Sequence, residues 1–270
     1  MAHKIAVLSQ KGGTGKTTAV RHLADVFRRA ELDVLAIDLD PQGNLSDYFD
    51  VDPSVEPTIG DVLTGRAKAA AAVHDGIIPA NLSLAEAELQ LAGKMGRELI
   101  LKKALKGVAA RHDVILIDCP PALGLLTVNA LVAADYALLS AEAQYFALQG
   151  VEQALEVIEL ARDGLNPDLE WLGVLFNIAD MRTVHSREAY QSLHEHVGDK
   201  LLKTVIRQSI AYAESSERAV SILEHRADLG NDYVLLADEL LGRLKLTAAR
   251  RRLKPLVEAA SANGSAPPSA

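Results

Sequence analysis

Ile5-Ala6-Val7-Leu8-Ser9-Gln10-Lys11-Gly12-Gly13-Thr14-Gly15-Lys16-Thr17-Thr18 reads as an apolar strand that runs into a glycine-rich turn and out into a helix. The apolar positions of that helix, Val20, Leu23, Val26 and Phe27, keep helical spacing. Gly12, Gly13 and Gly15 allow backbone conformations closed to other residues, so consecutive N–H groups can point at phosphate oxygens at a helix N-terminus. Lys16 is placed to reach β and γ phosphates and the Thr17 hydroxyl to ligate Mg2+, with Thr14 and Thr18 in the same loop. A plain turn between strand and helix accounts for a glycine pair. It does not account for Gly-Lys-Thr at this spacing after a strand.

Outward from this loop, apolar runs of strand length alternate with helical stretches: Ile5 to Leu8, Val34 to Ile37, Val114 to Ile117, Tyr136 to Leu139 and Leu172 to Phe176. Unbroken apolar strands are buried on both faces, which predicts a doubly wound, mostly parallel α/β sheet with helices on either side. The expected fold is a three-layer, Rossmann-like P-loop NTPase. With 270 residues and 49% hydrophobic content the chain can bury one large core. One ATPase domain over 1–246 is expected, followed by a basic helix end and a disordered tail over 247–270. Residues 50–96, with Pro53, Pro57 and Pro79, read as insertion helices and loops. From Ala259 onward only Ala, Ser, Gly, Asn and Pro occur, a composition that cannot offset the entropy of ordering.

A formal charge of −8 means that nucleic acid or anionic lipid must be met by a local basic patch. The single cysteine, Cys119, rules out an internal disulfide and a four-thiolate metal site within one chain. It reads as a small core residue in a reducing cytosol. No signal peptide or long apolar run is present, so a cytoplasmic protein is expected.

Two further segments end apolar strands in carboxylates. Val34-Leu35-Ala36-Ile37-Asp38-Leu39-Asp40-Pro41-Gln42-Gly43-Asn44 places Asp38 and Asp40 on the same side of a strand end, where both can face a phosphate pocket. Val114-Ile115-Leu116-Ile117-Asp118-Cys119-Pro120-Pro121 puts Asp118 at the edge of a buried strand, as in a Walker B segment that holds the metal through a water.

The loop departs from the ordinary P-loop: Gln10 stands where a glycine is usual, followed by a second lysine, Lys11. An ammonium beside Lys16 is repelled unless a dense anion lies between them. With this deviant Walker A the chain resembles the ParA/Soj and MinD family of ATPases, from about residue 4 to about residue 245. The resemblance implies that Lys11 reaches the partner's nucleotide in a homodimer formed around two ATP molecules, that Asp40 orients the attacking water, and that Asp38 lies near the metal. It also implies an adenine contact at Asn177, a second switch segment over Ala122 to Leu131, and a matching glutamine-aromatic stretch from Gln144 to Gly150. One thiol does not match the paired cysteines of the related nitrogenase iron protein.

No helix-turn-helix segment precedes Lys4, so the chain is similar to the short chromosomal branch of that family. The implied function is nucleoid-associated: nonspecific double-stranded DNA bound by the ATP dimer, and release by hydrolysis that a ParB-like centromere-binding protein stimulates. The resembling proteins carry a DNA-contacting arginine where Arg182 stands, and another where this chain has Ala211. Lys203, Arg207, Arg218, Arg226 and Arg243 are replacement charges. The same nucleotide dimer could position other cargo, such as chemoreceptors, flagellar machinery or a microcompartment, or could serve a membrane-bound regulator of the MinD type. Against a membrane anchor, Pro255 is expected to break the basic run Ala248 to Val257 after a few residues. The i,i+2 spacing of His194 and His196 puts their rings on different helix faces, Trp171 reads as packing, and Ser9 and Ser140 lack a histidine partner for nucleophilic work.

Overall fold

The computed structural model describes residues 2–144 and 147–262. Its strands are β1 (His3–Leu8), β2 (Val34–Asp38), β3 (Ile77–Ile78), β4 (Val114–Asp118), β5 (Tyr136–Glu142), β6 (Glu170–Ala179) and β7 (Leu201–Arg207). They form one sheet in the order β3-β2-β4-β1-β5-β6-β7, with every neighbouring pair parallel. The helices are α1 (Lys16–Arg29), α2 (Asn44–Tyr48), α3 (Ile59–Thr64), α4 (Ser83–Ala92), α5 (Ile100–Leu105), α6 (Leu125–Ala133), α7 (Ala147–Gly164) and α8 (Val184–Val197). After β7 come α9 (Ala211–Glu217), α10 (Ile222–His225), α11 (Ala227–Arg243) and α12 (Thr247–Ala262).

Alternation along the central strands feeds two cores. Ile5 and Val7 of β1 join Val34, Ala36, Val114 and Leu116 on one face, under α1, α2 and α9 to α12. Ala6 and Leu8 join Leu35, Ile37, Ile115 and Ile117 on the other, under α3 to α8. The three-layer α/β fold expected from the apolar runs is present. β1 and β4 are neighbours, yet α1 follows one over one face and α6 follows the other over the opposite face. Such a divergence opens a crevice at the C-terminal ends of the strands, the position where α/β sheets bind ligands.

Two strands, β3 and β7, are absent from the apolar-run reading. β3 is two residues long, and β7 is an edge strand in which Lys203, Thr204 and Val205 are not buried. Residues 50–96 hold α3 and α4 among loops, as expected, and also β3, which was not expected.

The C-terminal end differs from expectation. Pro255 lies inside α12, which runs on through Ala259 to Ala262, so the break expected at Pro255 is not found; residues 263–270 of the expected tail lie outside the described residues. The physical reason is burial: Ala249, Leu253 and Ala260 are 2%, 0% and 0% exposed in the core shared with α1 and α11, which outweighs the hydrogen bond a proline removes. The basic run serves this packing. Arg250 forks onto Asp238 at 2.8 and 2.8 Å, and Arg252 Nη1 donates to Ala30 O and Glu31 O at 3.0 and 3.3 Å. Among the described residues no helix is long and apolar enough to cross a membrane.

Candidate nucleotide site

At the crevice, the turn between β1 and α1 takes the shape its glycines permit. Gly13 and Gly15 have φ of +76° and +79°, the left-handed region that side chains disfavour. At Gly15 a Cβ would also stand 2.5 Å from Asn177 Nδ2, so space and backbone both demand glycine. Gly15 is the N-cap of α1 and no side chain caps it, which leaves the first N–H groups of the helix directed into the crevice.

Side chains then converge on this turn. Lys16 is 6% exposed, and its Nζ donates to Ser9 Oγ at 3.1 Å and to the carbonyl of Lys11 at 3.3 Å. Ser9 Oγ also donates to the Lys11 carbonyl at 2.7 Å and accepts from Thr14 Oγ1 at 2.9 Å. Thr17 Oγ1 donates to Asp118 Oδ2 at 2.6 Å. The loop is braced from β5 and β6: Ser140 Oγ donates to Thr14 O at 2.7 Å, and Asn177 Nδ2 donates to Gly15 O at 3.4 Å.

Asp118 and Asp38 are register partners at the ends of β4 and β2. Burial, and then the neighbouring Asp38, push the Asp118 carboxyl up to about 8. Its Oδ1 is buried with no hydrogen-bond partner. An orphaned carboxylate oxygen beside a threonine hydroxyl suits a hard cation that keeps several waters and takes its remaining ligands from phosphates, as Mg2+ does. Burial raises Asp38 to about 6 against three hydrogen bonds that lower it. Those bonds come from Ser46 N at 2.9 Å, Ser46 Oγ at 2.8 Å and Asp40 N at 3.1 Å. Asp38 thus turns inward to anchor α2, and of the two acids only Asp40 lines the cavity. The expectation that both face the phosphate pocket is corrected here; Ser46, eight residues downstream, supplies the donors that hold Asp38.

The cavity itself measures about 500 Å3. Gly12, Gly13, Thr14, Gly15, Lys16, Thr17 and Thr18 form one wall, and Asp40 and Asn177 lie at its edges. Lys11 is exposed and lines a separate hollow with Gln10 and Glu142. The far wall, from Arg207 to Ser216 with Tyr48 and Tyr233, is missing from the sequence reading. No spacing rule links these residues to the P-loop; the fold of α9 and α11 over α1 brings them there.

Of the other residues singled out, Arg182 is exposed in the turn after β6 and forks onto Asp180 at 2.8 and 2.9 Å. Ala211 is 2% exposed at the start of α9, so that position belongs to the core and is not an outward site. Arg207, Arg226 and Arg243 hold Asp232, Asp228 and Glu239, while Lys203 and Arg218 are exposed. Tyr145 and Phe146 of the glutamine-aromatic stretch lie outside the described residues. Cys119 is buried and Trp171 packs at the core margin with Lys200 Nζ over its ring, as expected. Among the described residues no three His, Cys, Asp or Glu side chains gather as a metal cluster.

This sequence and fold have relatives. Residues 2–171 match the AAA domain family AAA_31. The sporulation initiation inhibitor protein Soj of Bacillus subtilis is 36% identical over 249 residues, 89% of this chain and 98% of that protein. Among solved structures, cobyrinic acid a,c-diamide synthase from Mycobacterium smegmatis with bound ADP and magnesium aligns with a TM-score of 0.74 at 36% identity, over 83% of this chain and 95% of that one. The Cyanothece McdA complex with ATP aligns with a TM-score of 0.80 at 25% identity, over 89% and 96%.

Proposed function

The chain belongs to the AAA domain family AAA_31 and is a ParA/Soj-type ATPase, and from that premise we propose that it partitions DNA by a cycle of ATP-driven dimerisation and release. Its cofactors are ATP and Mg2+. The observation that carries the reading is the cavity wall that holds Lys16 and Thr17 with Asp40, Thr17 being bonded to the buried Asp118 behind it, and a second, exposed lysine, Lys11, in the same loop.

The residues divide the work as follows. The loop N–H groups and Lys16 Nζ bind the β and γ phosphates, Lys16 exchanging its bonds to Ser9 and the Lys11 carbonyl for phosphate oxygens. Thr17 and Asp118 would hold Mg2+, whose charge, when bound, would offset the negative charge of the transferred phosphoryl group. Asp40 orients the attacking water, and Asp38, bonded to Ser46, anchors α2 on the next strand without ligating. Lys11 crosses to the nucleotide of a second copy, so ATP holds two protomers together. Thr18 and Asn177 complete the nucleotide contacts.

Duplex DNA is then bound by the dimer through Arg182, Lys203 and Arg218, independently of sequence, because dimerisation doubles the phosphates engaged at once. A ParB-like partner stimulates hydrolysis and release. Sedimentation and mobility shift with unrelated DNA fragments test this together. ATP is expected to convert monomer to dimer and to produce a salt-sensitive shift, Lys11→Ala to bind ATP but stay monomeric, and Arg182→Glu to weaken all fragments alike. A Lys11→Ala protein that dimerises like its parent, or a shift unchanged by ATP, would overturn the reading.

A further inference from the structure

A second cavity lies behind the wall that carries Asp40. It measures about 520 Å3, as large as the nucleotide cavity, and Gln42 lines both. Asp40 and Asn44 line the nucleotide side of this wall, while Gly43, Ser46 and Asp47 line the other. The wall is one short stretch of chain, so whatever fills the second cavity touches the segment that presents Asp40.

Hydrogen bonds fix the frame of this cavity. Ala80 N donates to Ser46 Oγ at 2.9 Å and Ser46 Oγ donates to Asp38 Oδ2 at 2.8 Å, which ties the link between β3 and α4 to α2. Val51 N donates to Ser46 O at 3.1 Å and Ile59 N to Pro79 O at 2.8 Å, so the loop over 51–58 is held at both ends. Gly43 marks a close approach: its φ is +69°, and a Cβ there would stand 3.1 Å from Ala80 O.

The lining combines two chemistries. Val51, Val55, Pro79 and Leu82 are apolar, and Leu82 is 72% exposed. Leu89, two turns along α4 on the same side, is 77% exposed, so the apolar surface continues along that helix. Asp47 and Asp52 add carboxylates. Ser54 N and Oγ donate to Asp52 Oδ1 at 2.8 and 2.6 Å, and among the described residues the Asp47 carboxylate has no hydrogen-bond or ionic partner. The sequence has no lysine, arginine or histidine from Ala30 to Gly65 or from Asp75 to Gly93, so neither stretch that lines the cavity brings a cation of its own.

Uncompensated carboxylates repel a phosphate ligand. Among the described residues no three metal-ligating side chains gather, so a bare metal ion is poorly served as well. An ammonium or guanidinium on an apolar stem suits both halves of the lining. We propose that this cavity docks a partner protein through a segment that carries arginine or lysine beside apolar residues. Asp47 and Asp52 take the cations, and Leu82 and Leu89 take the apolar side chains. A segment seated behind Gln42 and Ser46 restrains the stretch that presents Asp40, and so raises turnover without touching the nucleotide. That effect on turnover rests on the ATPase reading; the docking does not.

The probe is a fluorescent peptide of alternating leucine and arginine, with a control in which glutamate replaces arginine. Anisotropy with the full chain measures binding, and phosphate release at saturating Mg-ATP measures turnover. The arginine peptide is expected to bind the parent and the glutamate peptide is not. Asp47→Lys with Asp52→Lys, and separately Leu82→Asp, should each weaken binding roughly tenfold or more, the size of one lost charge-assisted hydrogen bond or one lost apolar anchor. Mg-ATP affinity should stay at the parent's value in both variants, because none of the three residues lines the nucleotide cavity, and this shows that they have folded. Should the double reversal fail to fold, the exposed Leu82→Asp decides alone. No binding by the parent, or equal binding by parent and folded variants, would overturn the docking site. Turnover is expected to rise with the peptide in the parent and not in the variants; binding that leaves turnover unchanged would overturn the link to Asp40. A parent that binds the peptide and hydrolyses no ATP would remove the ATPase reading and leave the docking site standing.

Discussion

Thr17 Oγ1 donates a 2.6 Å hydrogen bond to Asp118 Oδ2, which ties the first turn of α1 to the end of β4, while Asp118 Oδ1 stays buried without a partner. A carboxylate so placed, directly across from Asp38, is held for a cation and costs stability until one arrives. Asp118→Asn keeps an oxygen for Thr17 and removes the charge. Without nucleotide, at pH 8, the variant is expected to be more stable than the parent by about 1 to 3 kcal/mol. It is also expected to lose the rise in melting temperature that Mg-ATP gives the parent. Thermal unfolding with and without Mg-ATP measures both, and a nucleotide-free variant that melts below the parent would contradict the assignment.

Glycine is required at two points of the loop for different reasons, and the difference is measurable. Gly13 and Gly15 both have positive φ, but a Cβ at Gly13 meets nothing within 4 Å, whereas at Gly15 it meets Asn177 Nδ2 at 2.5 Å. Gly13→Ala should cost about 1 to 2 kcal/mol from backbone conformation alone. Gly15→Ala should cost more, because Asn177 must also release the loop and Ser140. Urea unfolding that ranks the two the other way would show that the brace at Asn177 is loose.

The sequence made the loop and the central strands legible because each signal was local. A glycine's turn, a lysine three residues after another glycine, and an acid ending an apolar run can all be read within a dozen residues. What stayed hidden depends on long-range placement. Asp38 looked like a pocket residue until Ser46 claimed its carboxylate, and Arg207 looked like a surface charge until α11 brought Asp232 beneath it. β7 was missed because an edge strand exposes half its side chains and loses the apolar run that marks β1, β2 and β4. Pro255 misled for a related reason: helix propensity is a local quantity, and the burial that overrides it is not.

His22, one turn beyond Thr18 on α1, gives the fold an acid-sensitive point. Its ring is 0% exposed, its Nε2 bonds Tyr48 Oη at 3.0 Å, and Tyr212 and Tyr233 pack against it. Burial first, and then the charge of Arg21, which is itself paired with Asp25, hold its pKa well below the ordinary value. The sign follows from proton counts. Below about pH 6.5 the unfolded chain takes up a proton at this residue that the folded chain refuses, so stability falls as pH falls, by up to about 1.4 kcal/mol per pH unit. His22→Gln keeps a polar partner for Tyr48 and cannot titrate. Denaturant midpoints between pH 7 and 5 should therefore fall less steeply in the variant than in the parent, and parallel slopes would show that His22 is protonated in the native protein.

The basic C-terminal helix separates a packed strap from a membrane anchor, and its side chains favour the strap. Arg250 holds Asp238, Arg252 covers the carbonyls of Ala30 and Glu31 just past the end of α1, and Leu253, next to Arg252, is 0% exposed. An interfacial helix needs the reverse, with its arginines turned to headgroups and its leucines to lipid. Leu253→Ala should cost about 2 to 5 kcal/mol as a core truncation. Arg252→Ala should cost about 1 kcal/mol for the lost bonds to backbone carbonyls. Arg251, exposed beside them, should tolerate reversal to glutamate within about 0.5 kcal/mol. Pelleting with anionic liposomes supplies the independent arm, because lipid binding is read separately from stability. The parent and Arg251→Glu are both expected to stay in the supernatant with or without ATP. Liposome binding that Arg251→Glu abolishes, in a protein whose melting temperature is unchanged, would show that α12 leaves the body of the protein to reach a membrane.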